Sequence, residues 1–163
     1  MKSEVLQKLA RYCAYQERCK WEIQVKMDSF LILPEDQQAY LDWLEDNNYL
    51  NQERFARLFV RSKFNQKSWG RNKIKFELKR LQVSDALVQT ALSELRELPY
   101  ETTLESMLNE KFKHLKDPND WAKKQKCYQY AMRKGFEPDL ISLYIQQLKK
   151  KKLKSIHAIW LIG

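Results

Sequence analysis

Glycine and proline are nearly missing from this chain, with 3 and 4 residues among 163. Leucine, lysine, glutamate, glutamine and arginine dominate instead, so helix breakers are scarce and helix formers abundant, and an all-α fold is predicted. The shortage of glycine also leaves no glycine-rich phosphate loop and no nucleophile elbow. Cysteine is as rare as glycine. Cys13, Cys19 and Cys127 are odd in number and lack CxxC spacing, which argues against a disulfide frame and a metal knuckle and suits reduced thiols. The two histidines, His114 and His157, stand far apart with no carboxylate or thiol arrangement beside them, so no metal, cofactor or acid–base site is expected. Long apolar runs are absent too. No stretch approaches the roughly 20 apolar residues needed to span a bilayer, and the opening MKSEVLQKLARYC is polar and helix-like rather than a secretory signal. A cytoplasmic, soluble monomer without a membrane partner and without enzymatic activity is the expectation.

What the chain has in plenty is positive charge. It carries 30 Lys and Arg against 21 Asp and Glu, a net charge of +9 that favours polyanionic partners. The excess is uneven: residues 1–50 carry −3, 51–98 carry +6, 99–148 carry +1 and 149–163 carry +5.

Apolar spacing and punctuation predict nine helices. The first covers about 3–14 through Val5, Leu6 and Leu9, and the second about 17–29 through Trp21, Ile23, Val25 and Met27. Pro34 opens the third, through Tyr40, Leu41 and Leu44, and Asn47-Asn48 breaks it. Asn51 is placed to cap the fourth, whose inward set is read as Phe55, Leu58 and Phe59. Gly70 separates it from the fifth, with Ile74, Leu78 and Leu81 inward, and Ser84 caps the sixth. Pro99 precedes the seventh, Asp117-Pro118 opens an eighth that ends at Gly135, and Glu137-Pro138 begins the ninth.

Three helices per roughly 50 residues, three times over, read as an internal repeat. Its segments are 1–50, 51–98 and 99–148, followed by a basic and apolar tail, 149–163. "KRLQVSDALVQTAL" (79–92) lies over "MRKGFEPDLISLYI" (132–145), so that Val83 falls on Phe136, Leu87 on Leu140 and Val88 on Ile141; Ile32 takes the same place in the first segment.

The segment "LDWLEDNNYLNQERFARLFVRSKF", running on into "GRNKIKFELKRLQVSDALVQTAL", resembles the RecX regulators of the bacterial recombinase RecA. "YQERCKWEIQVKM" and "CYQYAMRKGFEPDLI" are similar to that family's opening and closing modules, and the resemblance spans about residues 10–148. Cys19 stands where members usually have Ser. Leu31 and Gln82 stand where a helix-ending Gly is usual, so those two turns are expected to differ in geometry from the one at Gly135. The resemblance implies three tandem three-helix repeats in an elongated, curved array that docks in the groove of the RecA filament on DNA and inhibits filament extension, ATP turnover and strand exchange, in DNA repair and recombination.

Candidate contacts follow from the charge. Arg54, Arg57 and Arg61 recur at three-four spacing on one face of the fourth helix, and Arg71, Lys75 and Lys79 form a second stripe with Lys73 beside it. Guanidinium pairs well with phosphate and with carboxylate, so these stripes suit DNA or an acidic protein surface; a solvated helix face is the plainer alternative. Lys123, Lys124, Lys126, Arg133 and Lys134 form a third basic group. Arg18, with Lys20 beside it, lies between Glu17 and Glu22, where an ion pair within the chain competes with binding. Trp21 and Trp43 are read as core. Trp69, amid Lys67, Gly70 and Arg71, is the tryptophan best placed to stack on a base of single-stranded nucleic acid. Asp42, Glu45 and Asp46 are explained by a solvated helix face. The alternative to recombinase regulation is a general nucleic-acid-binding helical module acting without a recombinase, on single-stranded or double-stranded DNA.

Overall fold

A computed structural model describes residues 2–148; the tail 149–163, with His157, lies outside the described residues. Those residues are helical throughout their regular structure, as predicted, with no strand among them. In chain order the helices are α1 (Ser3–Tyr15), α2 (Lys20–Asp28), α3 (Pro34–Asp46), α4 (Gln52–Lys67), α5 (Arg71–Arg80), α6 (Asp85–Leu92), α7 (Tyr100–His114), α8 (Asp120–Lys134) and α9 (Pro138–Gln147), with a short 3-10 stretch at Ser93–Arg96. Pro34 and Pro138 sit in the first turns of α3 and α9, where the missing N–H costs no hydrogen bond. Asn51 caps α4 by accepting from the Arg54 N–H at 2.9 Å. At α2 the Glu22 carboxylate reaches back to the Cys19 N–H, so Cys19 occupies the capping place usually held by Ser.

The chain separates into two compact units. One gathers the residues up to Ser62 with Lys75–Glu94; the other gathers Lys63–Ile74 with the described residues from Leu95 onward. The boundary therefore passes through α4 and α5. In the first unit Leu9, Cys13, Ile23, Met27, Tyr40, Leu41 and Leu44 form a continuous buried cluster. In the second, the Phe64, Tyr100 and Phe136 rings pack in series, with centroids 5.7 and 5.1 Å apart, and Leu104, Leu108 and Ile141 are fully buried.

The inward face of α4 differs from the one that spacing suggested. Phe55, Ala56, Val60 and Phe64 are buried, Phe59 is half-buried, and Leu58 is 52% exposed. The inward stripe is rotated by about one residue from the predicted one, because Ala56 and Val60 pack where larger side chains were expected. Trp21 is likewise on the surface of α2 rather than in the core, while Trp43 is half-buried and stacks on Tyr49 at 5.8 Å.

The three repeat junctions share one geometry, contrary to the expectation for Leu31 and Gln82. Leu31, Gln82 and Gly135 all take positive φ, at 56°, 58° and 88°. In each, the following N–H reaches five residues back: Ile32 to the Met27 carbonyl, Val83 to Leu78 and Phe136 to Ala131, at 3.1–3.2 Å. This bond and the burial of Ile32, Val83 and Phe136 hold the left-handed residue in place even where it carries a Cβ. The side chains of Leu31 and Gln82 are exposed, so the left-handed backbone meets no packing obstacle there.

Candidate nucleic-acid and partner interface

The arginine stripe on α4 is not an open basic face. Arg54 donates to Glu17 at 2.5 Å and to the Asn48 side chain at 2.8 Å. Arg57 pairs with Glu53 at 2.8 Å and with Glu94 at 2.6 Å, and Arg61 pairs with the other oxygen of Glu94. The three-four spacing thus has a local explanation: residues one helical turn apart bring two guanidinium groups onto a single carboxylate. Glu94 is only 9% exposed, and the hydrogen bonds from Arg57 and Arg61 hold its carboxyl below the usual range. Arg18 is similarly occupied, stacked 3.9 Å from the Tyr12 ring centroid and 3.5 Å from Glu22, in keeping with the intrachain alternative.

The α5 stripe is divided in the same way. Arg71 pairs with Glu137 and lies over the Tyr100 ring at 4.8 Å, while its N–H donates to the Tyr100 hydroxyl, which in turn donates to Glu137 at 2.7 Å. Burial pushes the Tyr100 hydroxyl pKa up, so it remains a donor. Lys79 pairs with Asp85 at 2.9 Å and holds that carboxyl low, with Lys75 adding a smaller attraction. Arg71 and Lys79 are thus engaged within the chain, whereas Lys75 has no carboxylate within ion-pair distance among the described residues.

Other cations of the second unit differ from Arg71, which belongs to it as well. Gly70 lies so close to Gly135 that a Cβ on it would stand 2.4 Å from the Gly135 carbonyl. That approach lets the Gly70 N–H donate to the Lys134 carbonyl at 2.8 Å and the Asn72 N–H donate to the Gly135 carbonyl at 2.9 Å. The start of α5 therefore caps the end of α8. Lys73 and Lys134 are brought together with α4: Lys134 Nζ donates to the Lys67 carbonyl at 2.8 Å, and Lys73 Nζ to the Arg133 carbonyl at 3.4 Å. Among the described residues, Lys67, Lys73, Arg133 and Lys134 have no carboxylate within ion-pair distance.

Farther along α8, Lys123 lies 5.3 Å from the Phe112 ring, Lys126 pairs with Asp117 at 2.9 Å, and Lys124 lines a shallow groove with Tyr128, Ser142 and Ile145. Three carboxylates decide which of these arginines are neutralised: Glu94 and Glu137, which sequence reasoning did not weigh, and Glu17, which it set beside Arg18 and which pairs with Arg54 instead. No spacing pattern flags them, since they lie 37, 37 and 66 residues from Arg54, Arg57 and Arg71. No group of His, Cys, Asp and Glu able to hold a metal occurs among the described residues, and none of their helices is long and apolar enough to cross a membrane.

Two family models match: the second three-helix domain of RecX over residues 51–92 and the third over residues 100–145. The regulatory protein RecX of Bacillus cytotoxicus is 30% identical over 148 residues, covering 86% of this chain and 52% of the relative. That of Lactobacillus johnsonii is 26% identical over 146 residues, covering 90% and 54%. The chain spans about half the length of these relatives. The crystal structure of RecX from Lactobacillus salivarius shares the fold with a TM-score of 0.81 at 23% identity, covering 90% of this chain and 96% of that one. Two successive domain models, matched in family order on the helices that carry the cations described above, show that this chain belongs to the RecX family.

Proposed function

We propose that this chain is a non-enzymatic regulator that binds the RecA–DNA filament and restrains the recombinase, acting as a cytoplasmic monomer. Its organisation in this reading is three three-helix repeats, 1–50, 51–98 and 99–148. The observation that carries the proposal is the match to the second and third RecX domains, together with the name its relatives bear, regulatory protein. The unopposed lysines of the second unit support a filament ligand, since DNA offers a dense line of phosphate charge. Arg54, Arg57, Arg61 and Arg71 contribute to such binding only by giving up an internal carboxylate. The first contacts in this proposal are therefore Lys73, Lys124, Arg133 and Lys134, with Lys75, Lys79, Lys123 and Arg18 secondary.

The test is recombinase ATP turnover and strand exchange with increasing amounts of the chain at fixed salt, alongside its affinity for bare and recombinase-coated DNA. Inhibition, with tighter binding to coated DNA, is expected. Equal affinity for both without inhibition would overturn the filament reading in favour of a general nucleic-acid-binding module.

A further inference from the structure

We infer that Trp69, with the lysines around it, is a stacking site for an unpaired nucleobase of single-stranded DNA. The inference deepens the filament reading above by naming which part of a nucleoprotein filament the second unit would take. Trp69 sits at the corner between α4 and α5, after Ser68 in the left-handed conformation (φ 50°). Its N–H donates to the Lys63 carbonyl at 3.3 Å, and its indole is part-exposed rather than core.

The Lys63, Lys67 and Lys73 ammonium groups stand 5.6, 5.4 and 4.7 Å from the indole centroid. Of these, Lys67 and Lys73 have no carboxylate within ion-pair distance, so their like charges repel each other, and the ring's negative face offsets this only in part. Lys134 adds a further positive charge where its Nζ reaches the Lys67 carbonyl. The glycine contact described above fixes this concentration of charge, because the start of α5 is hydrogen-bonded to the end of α8.

Such a place suits a ligand that brings both anions and a flat aromatic face. Phosphates relieve the repulsion, and a base stacks on the indole; every base has such a face, so little sequence preference is expected. Lysine ammonium groups move on flexible four-carbon stems, so a base can displace them from the ring towards its flanking phosphates. Duplex DNA supplies the phosphates but keeps its bases stacked on one another. An acidic protein surface supplies only charge.

The experiment uses the whole chain, labelled thymidine strands of about 15 nucleotides, and abasic strands of the same length, in a binding titration over a range of salt. The Trp69→Leu variant keeps an apolar side chain and removes the aromatic face. It should bind the thymidine strand roughly tenfold more weakly than wild type, with the same salt slope, and should bind the abasic strand as wild type does. Replacing Lys67 and Lys73 by Gln should instead lower the log-log salt slope by about 0.7 per lost phosphate contact. Equal binding of the leucine variant and wild type to thymidine strand overturns the inference, as does an equal loss on both strands. Should the leucine variant lose its cooperative melt, the wild-type comparison decides: equal affinity for abasic and thymidine strands overturns the site. Basic residues elsewhere in the chain act on both strands alike, and Trp121→Leu, at a ring 68% exposed on α8, is the control that should leave the difference intact; its loss there would overturn the site. A chain that discriminates the strands through Trp69 yet leaves recombinase activity unchanged refutes the filament reading and keeps the site; inhibition without discrimination does the reverse.

Discussion

Replacing Gly70 by Ala separates local propensity from tertiary packing, because the two predict opposite signs. Gly70 has no positive φ and stands immediately before α5, so removal of backbone freedom from the unfolded chain should stabilise by about 0.4–1 kcal/mol. In the folded second unit, the new Cβ would stand 2.4 Å from the Gly135 carbonyl carbon and oxygen and from the Phe136 nitrogen. These are backbone atoms that cannot rotate aside. Moving them apart costs about 1–3 kcal/mol in overpacking. It also loosens two hydrogen bonds, Gly70 N–H to Lys134 and Asn72 N–H to Gly135, at 2.8 and 2.9 Å. Each contributes about 1 kcal/mol, so the net expectation is a loss of roughly 2–4 kcal/mol. For a chain of this size that lowers the melting temperature by about 4–16 °C. Thermal and urea unfolding, followed by circular dichroism, measure it, with Gly135→Ala as a comparison that adds a forbidden φ of 88° to a 2.3 Å clash with Lys73 Cβ. A Gly70→Ala protein that melts at or above wild type would refute the close approach, and with it the positioning of Lys73 and Lys134 beside Trp69.

Phe55→Ala should cost about 3–5 kcal/mol in urea unfolding, whereas Leu58→Ala should be close to silent because its side chain is 52% exposed; equal losses would restore the stripe inferred from spacing. Leu31→Gly should stabilise by about 1 kcal/mol, because Leu31 is 89% exposed at φ 56° and gains little from burial; destabilisation would mean that its side chain packs. Glu94 has a folded pKa lowered from 4.5 by Arg57 and Arg61, so its contribution is present above about 4.5 and lost as pH falls through the folded value. Acid unfolding curves of Glu94→Gln should therefore show a smaller loss below pH 4.5 than wild type; parallel curves would refute the pairing.

The helices and their ends were legible in the sequence because their causes are local. Pro34, Asn51, Ser84 and Pro138 act within one turn, and their predicted places coincide with the starts of α3, α4, α6 and α9. The repeat was legible through Ile32, Val83 and Phe136, which prove to be the buried residues after three left-handed turns. The absence of glycine at Leu31 and Gln82 misled, because composition reports the cost of a left-handed residue but not the non-local packing that offsets it.

Helical spacing correctly set Arg54, Arg57 and Arg61 on a common side of α4, yet a face is defined by what lies opposite, and Glu17 and Glu94 are brought there only by tertiary folding. The lysines around Trp69 illustrate the converse: their sequence neighbours identify them as basic, while only the contact between Gly70 and Gly135 unites them with Arg133 and Lys134. Charge is a property of each residue and can be counted along a chain, whereas neutralisation requires a partner within a few ångströms, and the partners here lie 37 and 66 residues away.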